Sequence, residues 1–90
     1  MKTFKLLDYT AQVFYNKEQH YPFTVHLYDN CKDYKEIHIG HYISIEQLGY
    51  MTHLEMLEHQ YHALNPVQTL LAVEEMKESL YLWMEVLGEN

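Results

Sequence analysis

The sequence predicts an α+β fold: a three-stranded antiparallel sheet from the N-terminal half, packed against two C-terminal helices in a single domain, residues 1–90. Three observations predict it. Apolar and polar residues alternate with period two in the first half, period 3.6 takes over after residue 43, and no Pro/Gly-rich linker or internal repeat divides the chain. Residues 1–43 are therefore expected to be β-rich and residues 44–90 helical. Aromatic residues make up 14% of the chain, enough to argue against disorder, because each buries a large area. A chain this short buries only about 60–65% of its unfolded surface, so one modest core is expected.

The clearest strand covers 23–28, where Phe23, Val25 and Leu27 alternate with Thr24, His26 and Tyr28. Turn formers follow from Asp29 to Asp33, and alternation resumes over 34–42, so these two strands read as a hairpin. A third strand is expected within 4–15, rich in aromatic and β-branched residues, with a short helix over 10–17 as the competing reading. Its alternation slips at Asp8, which reads as a bulge.

In the second half, Ser44 and Gln47 have capping-box spacing, with Gly49 placed to end that turn. Thr52 and Glu55 repeat the signal, and the helix proper is expected to start at Thr52. Leu54, Leu57, Tyr61 and Leu64 then share its apolar face, while Glu55, Glu58, His59 and His62 gather on another. Asn65 is a good N-cap and Pro66 a good first residue for a second helix over 66–87, stopped by Gly88. Its apolar face is expected to hold Val73, Met76, Leu80, Trp83, Met84 and Leu87.

Charge is unevenly placed. Residues 1–45 carry five Lys and five Asp or Glu, whereas 46–90 carry one Lys and eight Glu, so the whole net charge of −7 lies in the helical half. All six basic residues are lysines. Without arginine or a cationic surface, direct binding to DNA or RNA is not expected, since phosphate neutralisation supplies most of that affinity. A basic protein partner is.

On the second helix, Glu74, Glu78 and Glu85 fall on one side, opposite the apolar face, with Glu75, Tyr81, Leu71 and Leu82 beside them. Carboxylates one helical turn apart are about 6 Å from each other, close to the spacing of successive phosphates, so such a stripe suits a groove lined with Lys and Arg. Glu74, Glu75, Glu78, Tyr81, Leu82 and Glu85 are the expected partner-binding residues. Leu71, Leu82 and Val86 could instead join two copies as a homodimer. Nine tyrosines add interface character, and any bare sheet face is expected to be coated by them.

Seven histidines raise metal binding as a third option, with Glu55, His59 and His62 at i, i+4 and i+7. No HExxH or cysteine pair supports it, and neither a metal nor another cofactor is expected. Catalysis is not expected either. There is no G-x-S-x-G and no Gly-rich phosphate loop, and the lone thiol, Cys31, sits between Asp29 and Asp33, which oppose its ionisation. The opening residues, MKTFKLLDYT, lack the apolar run of a secretion signal, and no segment has the length of a membrane span. With a single cysteine, a reducing cytoplasm is the expected compartment.

In length, acidity and lack of catalytic motifs, the chain resembles the small inhibitors encoded by phages and mobile elements, such as anti-restriction and anti-CRISPR proteins. The resemblance is one of composition. It implies an inhibitor that blocks a basic, nucleic-acid-handling protein.

Overall fold

In a computed structural model, which describes residues 1–59 and 65–89, the chain forms β1 (Lys2–Leu6), β2 (Tyr9–Tyr15), β3 (Phe23–Asp29), a 3-10 turn (Asn30–Lys32), β4 (Lys35–Tyr42), α1 (Ile45–Glu58) and α2 (Pro66–Leu87). The fold is α+β with the helices after the sheet, as expected, but the sheet has four strands rather than three. Their order is β1-β2-β3-β4, each pair antiparallel.

The extra strand arises because residues 4–15 contain a chain reversal. Leu6 pairs with Tyr9, so Leu7 and Asp8 alone make the hairpin turn, and Leu7 takes φ 58, a conformation that Gly or Asn usually supplies. The slip in alternation at Asp8 is thus a turn and not a bulge, and the segment after it is strand to Tyr15 rather than helix. The true irregularity lies between β3 and β4. Leu27 pairs with His38 and Tyr28 with Glu36, which leaves Ile37 as the additional residue.

Both helices cover one face of the sheet, α1 over β3 and β4, α2 over β1. The pleat sends Leu6, Tyr9, Ala11, Val13, Phe23, Val25, Leu27 and Tyr42 into that layer. The helices meet them with Ile45, Leu48 and Met56 from α1 and Val73, Met76, Leu80 and Met84 from α2. Among the described residues, no helix covers the opposite sheet face.

α1 starts at the first capping signal, seven residues before Thr52. Ser44 Oγ accepts the Gln47 N–H at 3.1 Å and Gln47 Oε1 accepts the Ile43 N–H at 2.9 Å. Gly49 therefore lies inside the helix, and Thr52 is an interior, buried residue. Moving the start rotates the buried face. It consists of Ile45, Leu48, Gly49, Thr52 and Met56, while Leu54, expected inside, is exposed; Tyr61 and Leu64 lie outside the described residues.

α2 has the expected bounds. Asn65 Oδ1 accepts from Val67 N at 2.9 Å and from Gln68 N at 3.4 Å. At the other end Gly88 takes φ 73, with Gly88 N bonded to Glu85 O and Glu89 N to Met84 O, the Schellman arrangement. Trp83 is half-buried against the core and Leu87 is exposed, so the buried face is narrower than its sequence implies. No helix among the described residues is long and apolar enough to cross a membrane.

Candidate binding surface

Burial of Thr69, Val73, Met76, Leu80 and Met84 sets the orientation of α2, and it turns a second seam outward. Leu71, Glu75, Glu78, Leu82 and Glu85 recur at spacings of four, three, four and three, which keeps them in line on the side away from the core. All five are exposed, Leu71 at 57% and Leu82 at 62%. Val67 and Val86, exposed at 64% and 85%, extend the seam at either end. Single exposed leucines are ordinary, but four large aliphatic residues interleaved with carboxylates along one helix make a mixed apolar and acidic seam.

The six residues singled out from the sequence are all exposed, yet the structure divides them. Glu74 and Tyr81 turn toward α1. Lys77 Nζ lies 2.8 Å from Glu46 Oε1 and 3.1 Å from Glu74 Oε1, while the Tyr81 hydroxyl donates to Glu46 Oε2 at 2.6 Å. These bonds to Lys77 and Tyr81 pull the Glu46 carboxyl below its ordinary pKa, and the bond to Glu46 pushes both Lys77 and Tyr81 above theirs. Gly49 makes room for this bridge, because the Lys77 stem crosses α1 at that position. Glu75, Glu78, Leu82 and Glu85 face solvent, and no ion pair holds those three carboxylates among the described residues. The unneutralised part of the stripe is therefore 75, 78 and 85, with Glu75 in the place that sequence spacing gave to Glu74.

A second polar group gathers where β4 meets the end of α1. Glu55 sits between two imidazoles: His38 Nδ1 is 3.6 Å from Oε1 and His59 Nε2 is 3.4 Å from Oε2. His38 Nε2 meets the Tyr42 hydroxyl at 2.7 Å, and burial, with the Glu55 charge nearby, raises the Tyr42 pKa. Glu55, Glu58 and His59 bring their ligand atoms within 4.8 Å of one another. Of the expected trio, Glu55 and His59 do meet, and His62 lies outside the described residues. Sequence spacing on the helix missed His38, which only the packing of α1 on β4 brings to Glu55.

The bare sheet face is not coated by tyrosine. Of the described tyrosines only Tyr28 lies on it, hydrogen-bonded to Gln12 at 3.1 Å, because Tyr9, Tyr15 and Tyr42 have helix-facing parity. His26 and His41 occupy it instead, bonded to Glu36 at 2.8 Å and Thr24 at 3.0 Å, with Phe14 edge-on to His26.

Comparison with protein-family models, with curated proteins and with solved structures found no match for this chain.

Proposed function

We propose that the protein is a small acidic binding module whose α2 outer seam docks a basic protein partner, and that it inhibits the partner by covering a groove built for nucleic acid. The observation that carries the reading is the seam itself, in which Glu75, Glu78 and Glu85 stand free between exposed Leu71 and Leu82. Leucines in a docked seam supply apolar area, and carboxylates supply the sign of the partner. Glu75 and Glu78 are about one turn apart and Glu85 about 10 Å further along the axis, spacings that a Lys/Arg groove shaped for phosphates can meet. A net charge of −7 would steer the encounter and make it salt-sensitive.

Self-association through the same seam is the competing reading, and charge opposes it. In an antiparallel pair centred on the seam, Glu75 and Glu78 of one copy face Glu78 and Glu75 of the other. Like charges brought together across an interface cost several kcal/mol, and a basic partner avoids that cost.

The test combines capture with a functional readout. Wild-type protein used as bait should retain a basic protein at low salt, release it at high salt, and block that protein's binding to a nucleic-acid duplex. Glu75→Lys, Glu78→Lys and Glu85→Lys together should abolish both effects with the circular dichroism spectrum unchanged. Undiminished capture by the triple variant overturns the proposal, as does a tight dimer in sedimentation that hides Leu71 and Leu82.

A further inference from the structure

We infer that the C-terminal end of α1 is a binding site for a divalent transition-metal cation of the zinc type, held by Glu55, Glu58 and His59, with His38 positioning Glu55 from β4.

The ligand atoms of Glu55, Glu58 and His59 gather within 4.8 Å of one another, and the Glu55–His59 pair does not close into a short hydrogen bond. A charge-assisted N–H···O bond closes to about 2.7–2.9 Å. His59 Nε2 and Glu55 Oε2 stand 3.4 Å apart although they are an i, i+4 pair on one helix, free to approach. Two ligands on one tetrahedral zinc, each about 2.0–2.1 Å from the metal, are themselves about 3.3–3.4 Å apart. Glu58, one residue before His59, completes a three-donor set of one nitrogen and two oxygens. That set leaves a fourth position for water or a substrate atom.

Helix electrostatics point the same way. α1 ends at Glu58 with His59 as its C-cap, and its last turn holds no Lys or Arg. The helix C-terminus carries about half a negative charge, so carboxylates are unfavourable there and cations favourable. Two glutamates in that turn are costly without a cation and natural ligands with one.

The sheet supplies the support that metal-ligating carboxylates commonly receive. Glu55 divides its oxygens: Oε2 faces His59, and Oε1 faces His38 Nδ1 at 3.6 Å. Tyr42 fixes the far side of the His38 ring by its 2.7 Å contact with Nε2. His38 thereby faces Oε1 from the sheet side and leaves Oε2 to His59. Lys32 and Lys35 line the neighbouring cleft together with His59, and their positive charge opposes a cation there, which the Glu55 and Glu58 carboxylates must outweigh.

Zinc chloride titrated into the protein, followed by thermal melts and calorimetry, tests the site. Zinc at a hundredfold excess over its Kd should raise Tm by about 10 °C or more with one ion per chain. His59→Ala and Glu58→Gln, both at partly or fully exposed positions, should melt like the wild type without zinc and lose most of the shift with it. His26→Ala and His41→Ala on the bare sheet face should keep the full shift. His38→Ala should weaken zinc binding severalfold, without abolishing it. No shift in the wild type, or an undiminished shift in His59→Ala, overturns the inference. Neither outcome bears on the α2 seam, which shares no residue with this site.

Discussion

The Tyr42 hydroxyl lies 2.7 Å from His38 Nε2, four residues back along the same strand, and Gly40 is what allows it to reach. Residues 38, 40 and 42 share one face of β4, and the Tyr42 ring folds back over position 40, where a β-carbon would collide with the ring and its hydroxyl. The ring cannot easily yield, because it is a core residue only 5% exposed. Gly40→Ala is expected to destabilise the fold by about 2 kcal/mol, within the usual cost of overpacking. Urea unfolding at constant m-value measures it. A loss under about 0.5 kcal/mol would show that the ring swings aside and that Gly40 has no such role.

Gly49 makes the opposite case. A β-carbon there would meet Lys77 Cδ at 2.6 Å and Cγ at 2.9 Å, but those atoms belong to a flexible stem that can shift by giving up its contacts with Glu46 and Glu74. Replacing an interior helical Gly by Ala gains about 1 kcal/mol in helix propensity, which offsets the displaced stem. Gly49→Ala should therefore melt within about 4 °C of wild type. Its signature is local: the Glu46 carboxyl, read by NMR titration, returns toward its ordinary pKa as Lys77 withdraws.

The same bridge gives the protein an alkaline limit. Lys77 and Tyr81 are raised by their bonds to Glu46, so the folded chain holds those protons more tightly than the unfolded chain does. Their contribution to stability is fully present below the ordinary values, 10.5 for Lys77 and 10.0 for Tyr81, and is lost as pH rises through the folded values. Glu46, lowered from 4.5, behaves inversely, its contribution lost as pH falls through the folded value. Melts between about pH 9 and 11 should decline more steeply for wild type than for Tyr81→Phe. Equal slopes would assign the decline to Tyr15 and Tyr42, which burial also raises.

Much of this was legible in the sequence, and what was not has a physical cause. The bounds of α2 follow from Asn65, Pro66 and Gly88, because a capping side-chain oxygen, a fixed φ without an N–H and an unstrained positive φ are each supplied by few residues. The turn at Leu7 was not legible, since nothing in a leucine announces a positive φ. α1 misled because two capping signals compete, and Gly49, which reads as a stop, is there for close approach of Lys77. The acidic face of α2 was visible by period alone. That Glu74 and Tyr81 are held by Lys77 and Glu46, leaving 75, 78 and 85 free, depends on a helix pairing that no local pattern encodes.

Tyr34 is a further residue at positive φ, 57, and it is 65% exposed, so its side chain contributes little packing. A bulky residue in the left-handed region costs about 1–2 kcal/mol, part of which glycine returns as lost chain entropy. Tyr34→Gly should stabilise the protein by about 1 kcal/mol, seen as a rise in Tm of several degrees. Asp33, with φ 53 in the same turn, should gain less from the same change because Asp tolerates that region.

Two buried threonines test how strictly polar satisfaction governs this small core. Thr52 and Thr69 are both 0% exposed, but Thr69 Oγ1 donates to Asn65 O at 3.1 Å, whereas Thr52 Oγ1 has no partner among the described residues. Valine has the shape of threonine without the hydroxyl and nearly the same helix propensity, so each substitution isolates that one group. Thr52→Val removes a desolvated, unpaired hydroxyl and should stabilise by about 1 kcal/mol; Thr69→Val removes a made bond, leaves the Asn65 carbonyl to the backbone alone, and should destabilise by about 1 kcal/mol. The opposite signs are the point of the comparison, because any general effect of valine in a helix moves both proteins the same way. Midpoints in urea that shift together would mean that Thr52 finds a partner in solution.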